Sequence, residues 1–151
     1  MKNLILLAVL ILTMGCSKNS DSEPVTSFTP RTIIPVLIGK SSISNPIPLL
    51  QNVLISSQTE WNTLLNSMNA VNNVSINFTE TNVDFSNFDV IAVFRKQYSN
   101  SSSTVDITNI LENQTNRVVT IQNLTNGISQ DVAQPFHIVK IPKSTKPVVF
   151  Q

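Results

Sequence analysis

The sequence predicts an α+β fold, in which one amphipathic helix packs on a mainly antiparallel β-sheet or sandwich of about six or seven strands. Three observations predict it. Short β-branched, apolar segments recur along the chain and are separated by polar turns. One segment, residues 57–68, has the spacing of an amphipathic helix instead. The run Val90–Phe94 is apolar throughout, which is typical of a strand covered on both faces.

The first two predicted strands precede the helix. Residues 32–38 are mostly β-branched and apolar, and Pro35 favours a sheet edge or a bulge because it has no backbone N–H to donate. Residues 45–48 predict a turn. Residues 49–55 then predict a second short strand.

The helix begins at a capping box. The Ser57 side chain is placed to accept from the amide of Glu60, while Glu60 reaches back toward the start of the helix. Apolar residues follow at helical spacing and predict one stripe that faces a core: Trp61, Leu64, Leu65 and Met68. The other face is polar: Asn62, Thr63, Asn66 and Ser67.

The remaining strands follow a turn at residues 84–88 that has two aromatic anchors. Residues 90–94 predict the central strand. Residues 104–111 and 117–124 predict an antiparallel pair, residues 136–141 a further strand, and residues 148–151 a last one that is a candidate sheet edge. Alternation in the pair predicts four side chains that point inward: Val105, Ile107, Val119 and Ile121.

The start of the chain predicts export. Lys2 precedes an unbroken apolar run of nine residues, Leu4–Leu12, and Gly15 precedes Cys16, the only cysteine. This layout resembles a bacterial lipoprotein signal peptide, although Thr13 stands where such signals usually have leucine. The resemblance implies cleavage after residue 15 and lipidation of Cys16. We therefore expect a signal peptide over 1–15, a lipidated cysteine and flexible tether over 16–30, and one domain over 31–151.

A membrane-spanning helix is the competing interpretation of the same run. A span needs about 20 consecutive apolar residues, and here polar chain resumes at Ser17. The run is therefore too short, and we expect the protein to be held at the bacterial cell envelope, at the outer membrane, by acyl chains such as palmitate. No second cysteine is available for an internal disulfide.

The charge balance argues against nucleic acid as a partner. The chain has ten Lys and Arg residues against nine Asp and Glu residues, whereas a nucleic-acid-binding domain has a basic stripe. Lys140, Lys143 and Lys146 form a locally basic group. We interpret this group as part of a solvated hairpin loop.

The sequence offers little for catalysis. His137 is the only histidine and so the sole candidate base for a Ser-His-Asp triad. It lies in a predicted strand with Val139 and Ile141 on the same face, which favours a structural, hydrogen-bonded role. Asx-type capping accounts for Asp84 and Asp89. One histidine without a free cysteine does not match the usual zinc sets, and we expect no metal, no cofactor and no enzymatic activity.

One segment resembles a known family. Residues 83–94, with Asp84-Phe85 followed by Val90–Phe94, look like the core of the PrcB C-terminal domain of bacterial protease-complex subunits and small lipoproteins. Glu60 and Trp61 with the two following leucines resemble the family's helix, and residues 135–143 and 147–150 resemble its closing strands. The glycine-rich turn usual after the central strand is missing from residues 95–104. The resemblance implies a non-catalytic domain that stabilises or docks onto an exported protease.

Three functional hypotheses follow. The first is a lipid-anchored, exported interaction domain that contacts the membrane through its anchor and docks onto a secreted protease or another envelope protein. The second is an envelope lipoprotein that binds a small ligand or glycan, with Tyr98 as the candidate aromatic contact. The third is a hydrolase that uses His137 and a serine.

Overall fold

The computed structural model describes residues 27–44, 50–70, 72–95, 103–124 and 132–151. The elements in chain order are β1 (Arg31–Thr32), β2 (Val36–Ser44), β3 (Val53–Ile55), helix α1 (Gln58–Asn69), a 3-10 turn (Val74–Asn77), β4 (Phe88–Phe94), β5 (Thr104–Glu112), β6 (Arg117–Leu124), β7 (Ala133–Pro142) and β8 (Val148–Phe150). None of the helices in these ranges has the length and apolar character needed to cross a bilayer.

The strands form two sheets, which confirms the predicted α+β class with a mainly antiparallel sandwich. The outer sheet has the order β1-β5-β6-β8, and the middle sheet has the order β2-β7-β4-β3. Every pairing is antiparallel except that of β6 with β8. As predicted, β4 is an inner strand and β8 is a sheet edge.

The first predicted strand, residues 32–38, is divided between the two sheets. β1 pairs with β5 in the outer sheet, and β2 pairs with β7 in the middle sheet. The chain crosses at Ile34-Pro35, where Pro35 cannot donate to a ladder. This crossing accounts for eight strands in the structure, one more than the upper end of the predicted number.

The middle sheet is buried on both faces, so the molecule has three layers. Val90, Ala92 and Phe94 of β4 face the helix, and the alternate residues Ile91 and Val93 face the outer sheet. All five are buried. This confirms the prediction from the continuous apolar run: β4 is covered on both faces, because each face contacts its own apolar layer.

Helix α1 is capped as predicted and packs through Trp61. The Glu60 amide donates to Ser57 Oγ at 3.3 Å, and the Glu60 carboxylate accepts from the Ser56 amide at 3.0 Å. Trp61 is fully buried, its Nε1 donates to the carbonyl of Thr81 at 2.9 Å, and its ring stacks on Phe78.

Phe78 joins the helix to the middle sheet. Its ring lies between Trp61, at 6.2 Å between centroids, and Phe136 of β7, at 5.8 Å. It also covers Gly39 of β2, where an added Cβ would come within 2.5 Å of the ring. Glycine at this position therefore permits the close approach of the ring to the strand.

A β-bulge in β5 modifies the predicted alternation. Val105 and Val119 are buried between the sheets, and Ile107 and Ile121 pack against them, as the sequence predicts. The register with β6 then shifts between Ile107 and Asn109, so that Ile110 is the next buried residue. A bulge inserts one residue and reverses the facing of all that follow.

The two sheets share two ends, which we call the proximal end and the distal end. At the proximal end β1 begins, β5 ends at Glu112, and β6 begins at Arg117. The end of β7 lies there as well, because Arg117 Nη1 donates to the carbonyl of Pro142. At the distal end Arg95 follows β4 and donates to the carbonyl of Leu124 at the end of β6. The described chain therefore enters the fold at the proximal end.

Replacing Trp61 with alanine should lower the free energy of unfolding by about 3–5 kcal/mol, because it removes a buried aromatic ring and leaves a cavity next to Phe78. Urea denaturation followed by circular dichroism measures the change. Asn66→Ala, on the exposed face of the same helix, is the control and should change it by no more than about 0.5 kcal/mol. Equal stability of the wild type and Trp61→Ala would contradict this packing.

Candidate functional site

A groove of about 390 Å³ lies between α1 and β3, the edge strand of the middle sheet. We call it the α1–β3 groove. One wall is the strand and the other is the face of the helix that carries small hydroxyl side chains and one leucine: Val53, Leu54 and Ile55 on the strand, and Thr59, Thr63, Leu64 and Ser67 on the helix. Apolar carbon makes up most of the surface that lines the groove.

Two of the three hydroxyl groups on the helical wall are already engaged. Thr63 Oγ1 donates to the carbonyl of Thr59, and Ser67 Oγ donates to the carbonyl of Thr63, each at 3.0 Å. These bonds turn the hydroxyl donors toward the backbone of the helix. The groove ends at Glu60, whose pKa is lowered first by the hydrogen bond from the Ser56 amide, so it is a carboxylate at neutral pH.

The strand side of the groove is a free sheet edge. Among the strands that the structure describes, β3 pairs only with β4. In an antiparallel ladder, successive residues turn their N–H and C=O groups alternately toward and away from the partner. The three residues of β3 therefore leave at least one such pair directed outward, where an added strand could bond to it.

A buried glutamine fixes the chain that leads into β3. The side chain of Gln134 in β7 accepts from the Leu50 amide at 3.3 Å and donates to the Leu50 carbonyl at 2.9 Å. Gln134 is fully buried. This pair of bonds imitates a backbone ladder and holds the groove's strand wall against the sheet.

His137, the sole candidate base, joins the two sheets. Its Nδ1 accepts from the backbone amide of Ile107, at the β5 bulge, at 3.0 Å. Burial lowers its pKa below the ordinary 6.5, the ammonium of Lys40 lowers it further, and Asp106 opposes both. The imidazole is therefore neutral at pH 7 and carries its proton on Nε2.

This arrangement is the reverse of a triad. In a triad, the histidine Nδ1–H donates to a carboxylate while Nε2 faces the nucleophile. Here Asp106 Oδ1 lies 3.4 Å from His137 Nδ1, but that nitrogen is an acceptor for Ile107. Asp106 is instead paired with Lys40. The bond to Ile107 matches the structural role that the sequence favours.

The two aspartates near residue 86 have different roles. Asp84 caps its turn as predicted, accepting from the Ser86 amide at 3.0 Å and from Asn87 Nδ2 at 2.8 Å. Asp89 does not cap that turn. It is buried at the start of β4 and accepts from Lys143 Nζ and from the Ser144 amide, so it holds the loop that precedes β8.

The structure corrects part of the interpretation of the three lysines as a solvated loop: Lys143 and Lys146 lie in the loop between β7 and β8, whereas Lys140 does not, and all three are ion-paired. Each ammonium is paired with a carboxylate: Lys140 with Glu80 at 2.5 Å, Lys143 with Asp89 at 3.3 Å, and Lys146 with Glu112 at 3.4 Å. Lys140 lies within β7 and not in a loop. The local excess of lysine in the sequence is thus balanced in space by acids from distant segments.

Glu112 is the centre of an ionic cluster at the proximal end. Its side chain is only 6% exposed and contacts Arg31 at 3.0 Å, Arg117 at 2.7 Å and Lys146 at 3.4 Å. Burial by itself raises the pKa of Glu112, but the hydrogen bond and charge of Arg117 outweigh it and the pKa is lowered. Three cations surround one carboxylate, so the cluster keeps a positive surplus.

Two further cavities lie toward the distal end. One of about 480 Å³ is lined by residues that include Asn52, Arg95 and Phe150. The other, about 270 Å³, is lined by residues that include Lys40 and Ser103. Within the described ranges, Ser103 Oγ is buried and has no hydrogen-bond partner.

Cys16, the predicted lipidation residue, and Tyr98, the predicted aromatic contact, lie outside the described residues. Among the residues that the structure describes, no group of three or more His, Cys, Asp or Glu side chains lies close enough to hold a metal ion.

The α1–β3 groove did not follow from the sequence. Thr63 and Ser67 lie on the helix face that the sequence marks as polar, and nothing in the local pattern shows that β3 lies beside it. The available signal is the spacing of Thr59, Thr63 and Ser67, which are four residues apart and so share one line on the helix.

No protein-family model matches this chain, and comparisons with curated proteins and with solved structures give no match either. The resemblance to the PrcB C-terminal domain therefore stays a prediction from the sequence.

Acid should weaken the fold through His137. The unfolded state takes up a proton at the ordinary pKa of 6.5 while the folded state resists it, so the free energy of unfolding should fall as pH drops from about 6.5 toward 5. Glu60, Asp84 and Glu112 have pKa values below 4.5 and so do not titrate in this window.

Urea denaturation of the wild type and of His137→Asn at a series of pH values measures this effect. Asparagine keeps an acceptor near the Nδ1 position and does not titrate. The variant should therefore show a flatter dependence above pH 5. Parallel curves for the two proteins would contradict the assignment.

Proposed function

We propose that this chain is a lipid-anchored, exported interaction domain of the bacterial cell envelope that docks onto a partner protein and does not catalyse a reaction. The observation that carries the proposal is the α1–β3 groove, because an apolar channel beside a free strand edge is suited to an extended peptide. The lipoprotein-like start of the sequence supports the location at the outer membrane.

The groove favours a partner segment with apolar side chains. Leu64 and Val53 offer carbon surface on the two walls, and the outward backbone groups of β3 offer the ladder bonds. Side chains of an added strand alternate between faces, so every second partner residue would enter the groove. Among envelope proteins, the resemblance to protease-complex subunits favours an exported protease as the partner.

Binding of a small ligand or glycan is the second candidate function. Ser103 Oγ, buried without a partner among the described residues, lines a cavity that also contains Lys40 and Ser41. A buried hydroxyl of this kind favours a polar ligand that would satisfy it. Thermal unfolding with a panel of sugars separates the two functions, because stabilisation that is lost in Ser103→Ala favours ligand binding.

The lipid anchor is tested by the intact mass of the native protein purified from membranes. We expect a chain that begins at Cys16 and carries acyl groups on that residue, because cleavage precedes the lipidated cysteine. Cys16→Ser is the control and should be recovered without acyl mass. A free thiol at Cys16, or an uncleaved leader, would contradict the anchor.

The groove is tested by affinity capture from detergent-solubilised envelopes with the full chain. Val53→Asp and Thr63→Asp place a charge on each wall and should reduce recovery of a specific partner by tenfold or more, which corresponds to about 1.4 kcal/mol. Ile76→Asp changes an exposed isoleucine outside the groove and should leave recovery unchanged. Equal recovery with all three variants would contradict the groove as the docking site.

A further inference from the structure

The crossing between the two sheets exposes an apolar run at the surface. Ile34 is 85% exposed, Val36 51% and Leu37 47%, and the four residues 34–37 are consecutive. The residue that precedes the run, Ile33, is buried against the outer sheet. Single exposed apolar residues are common on protein surfaces, whereas a contiguous group of them marks a contact site.

The core does not account for this composition. Ile34 lies between β1 and β2, where no ladder partner among the described strands constrains it, and most of its side chain is exposed. Val36 and Leu37 begin β2 at the edge of the middle sheet. The apolar side chains of the run are therefore available for something outside the described fold.

The run lies on the β1–β2 edge of the sandwich, in the half nearer the proximal end, where the described chain enters the fold. Val36 is in register with Lys140, near the end of β7, and β1 is in register with the end of β5. Phe28, which precedes β1, is partly exposed and lies under Lys146 Nζ at 4.0 Å from the ring centroid. The segment that leads back toward Cys16 therefore leaves from the same end.

A positively charged residue, Arg31, lies three residues before the apolar run. Arg31 is 68% exposed and belongs to the cluster in which three cations surround Glu112. Exposed apolar side chains next to arginine and lysine are the composition of surfaces that sit at a lipid headgroup boundary. The carboxylate of Glu112 is buried and already shared by the three cations.

We infer that the apolar run, residues 34–37, contacts the bilayer to which Cys16 is anchored, with Arg31 facing the headgroup phosphates. The inference rests on the lipid anchor of the proposed function. The tether that the sequence predicts between Cys16 and the domain would measure about 20 Å end to end as a coil, which keeps the proximal end within reach of the headgroups. Anchoring makes the contact intramolecular, and a weak surface then suffices.

This contact sets the orientation of the domain. The proximal end faces the membrane, and the distal end, with the two cavities beside Arg95 and Ser103, faces away from it. The α1–β3 groove lies at the β3 edge of the middle sheet, opposite the β2 edge that carries Val36 and Leu37.

The test uses the full, lipidated chain in vesicles of phosphatidylethanolamine and phosphatidylglycerol. Because acylation occupies the only native cysteine, a new cysteine can be labelled selectively. An environment-sensitive fluorophore is placed at Ile34→Cys, at Leu37→Cys and, as the matched control, at Ser44→Cys, which is exposed at the opposite end of β2. Brominated acyl chains then quench labels that touch the bilayer.

We expect quenching several-fold stronger at residues 34 and 37 than at residue 44, with a blue-shifted emission at the first two. Equal quenching at all three positions in an acylated chain overturns the bilayer contact and leaves the anchor intact. An intact mass that shows an unmodified Cys16 overturns both. Weak quenching at residue 37 with cross-linking between two Leu37→Cys chains assigns the apolar run to a second copy and overturns the bilayer contact.

Discussion

The fold depends on the double burial of the middle sheet. The two inner strands of this sheet, β4 and β7, have apolar side chains on both faces, and each face needs its own apolar layer to exclude water. The helix and Phe78 cover one face, and the outer sheet covers the other. Phe78 stacks on Trp61 and meets Phe136 edge to face, so aromatic contacts join the helical layer to the middle sheet in addition to its apolar stripe.

Buried polar groups join the layers where apolar contact alone would leave backbone groups without partners. The β5 bulge frees the amide of Ile107, and His137 from the other sheet accepts it. The Gln134 side chain bonds both the amide and the carbonyl of Leu50. Glu112 holds Arg31 and Arg117 at the proximal end. His137 Nδ1, the Gln134 amide and the Glu112 carboxylate are thus each engaged in a structural bond.

This packing leaves the α1–β3 groove and the apolar run at residues 34–37 exposed. The α1–β3 groove exists because β3 is short and ends the middle sheet, so the helix overhangs a free edge. The apolar run at residues 34–37 exists because the chain must change sheets at Pro35. Under the two proposals, the groove is the surface that meets a protein partner and the apolar run is the surface that meets the membrane.

The sequence by itself determined the features that depend on neighbouring residues. The capping box of Ser57 and Glu60, the stripe that buries Trp61, the double-sided burial of β4 and the shared face of His137 and Val139 all follow from spacings of two to four residues. Such spacings report which face of an element is buried.

Only the tertiary structure decided how those faces meet. The break at Pro35 that divides one apolar segment between two sheets, the bond from Ile107 to His137 across 30 residues, the pairing of three lysines with distant acids, and the meeting of β3 with the polar face of α1 have no local signal. Periodicity records that a side chain is buried, whereas its partner is fixed by long-range packing of the whole chain.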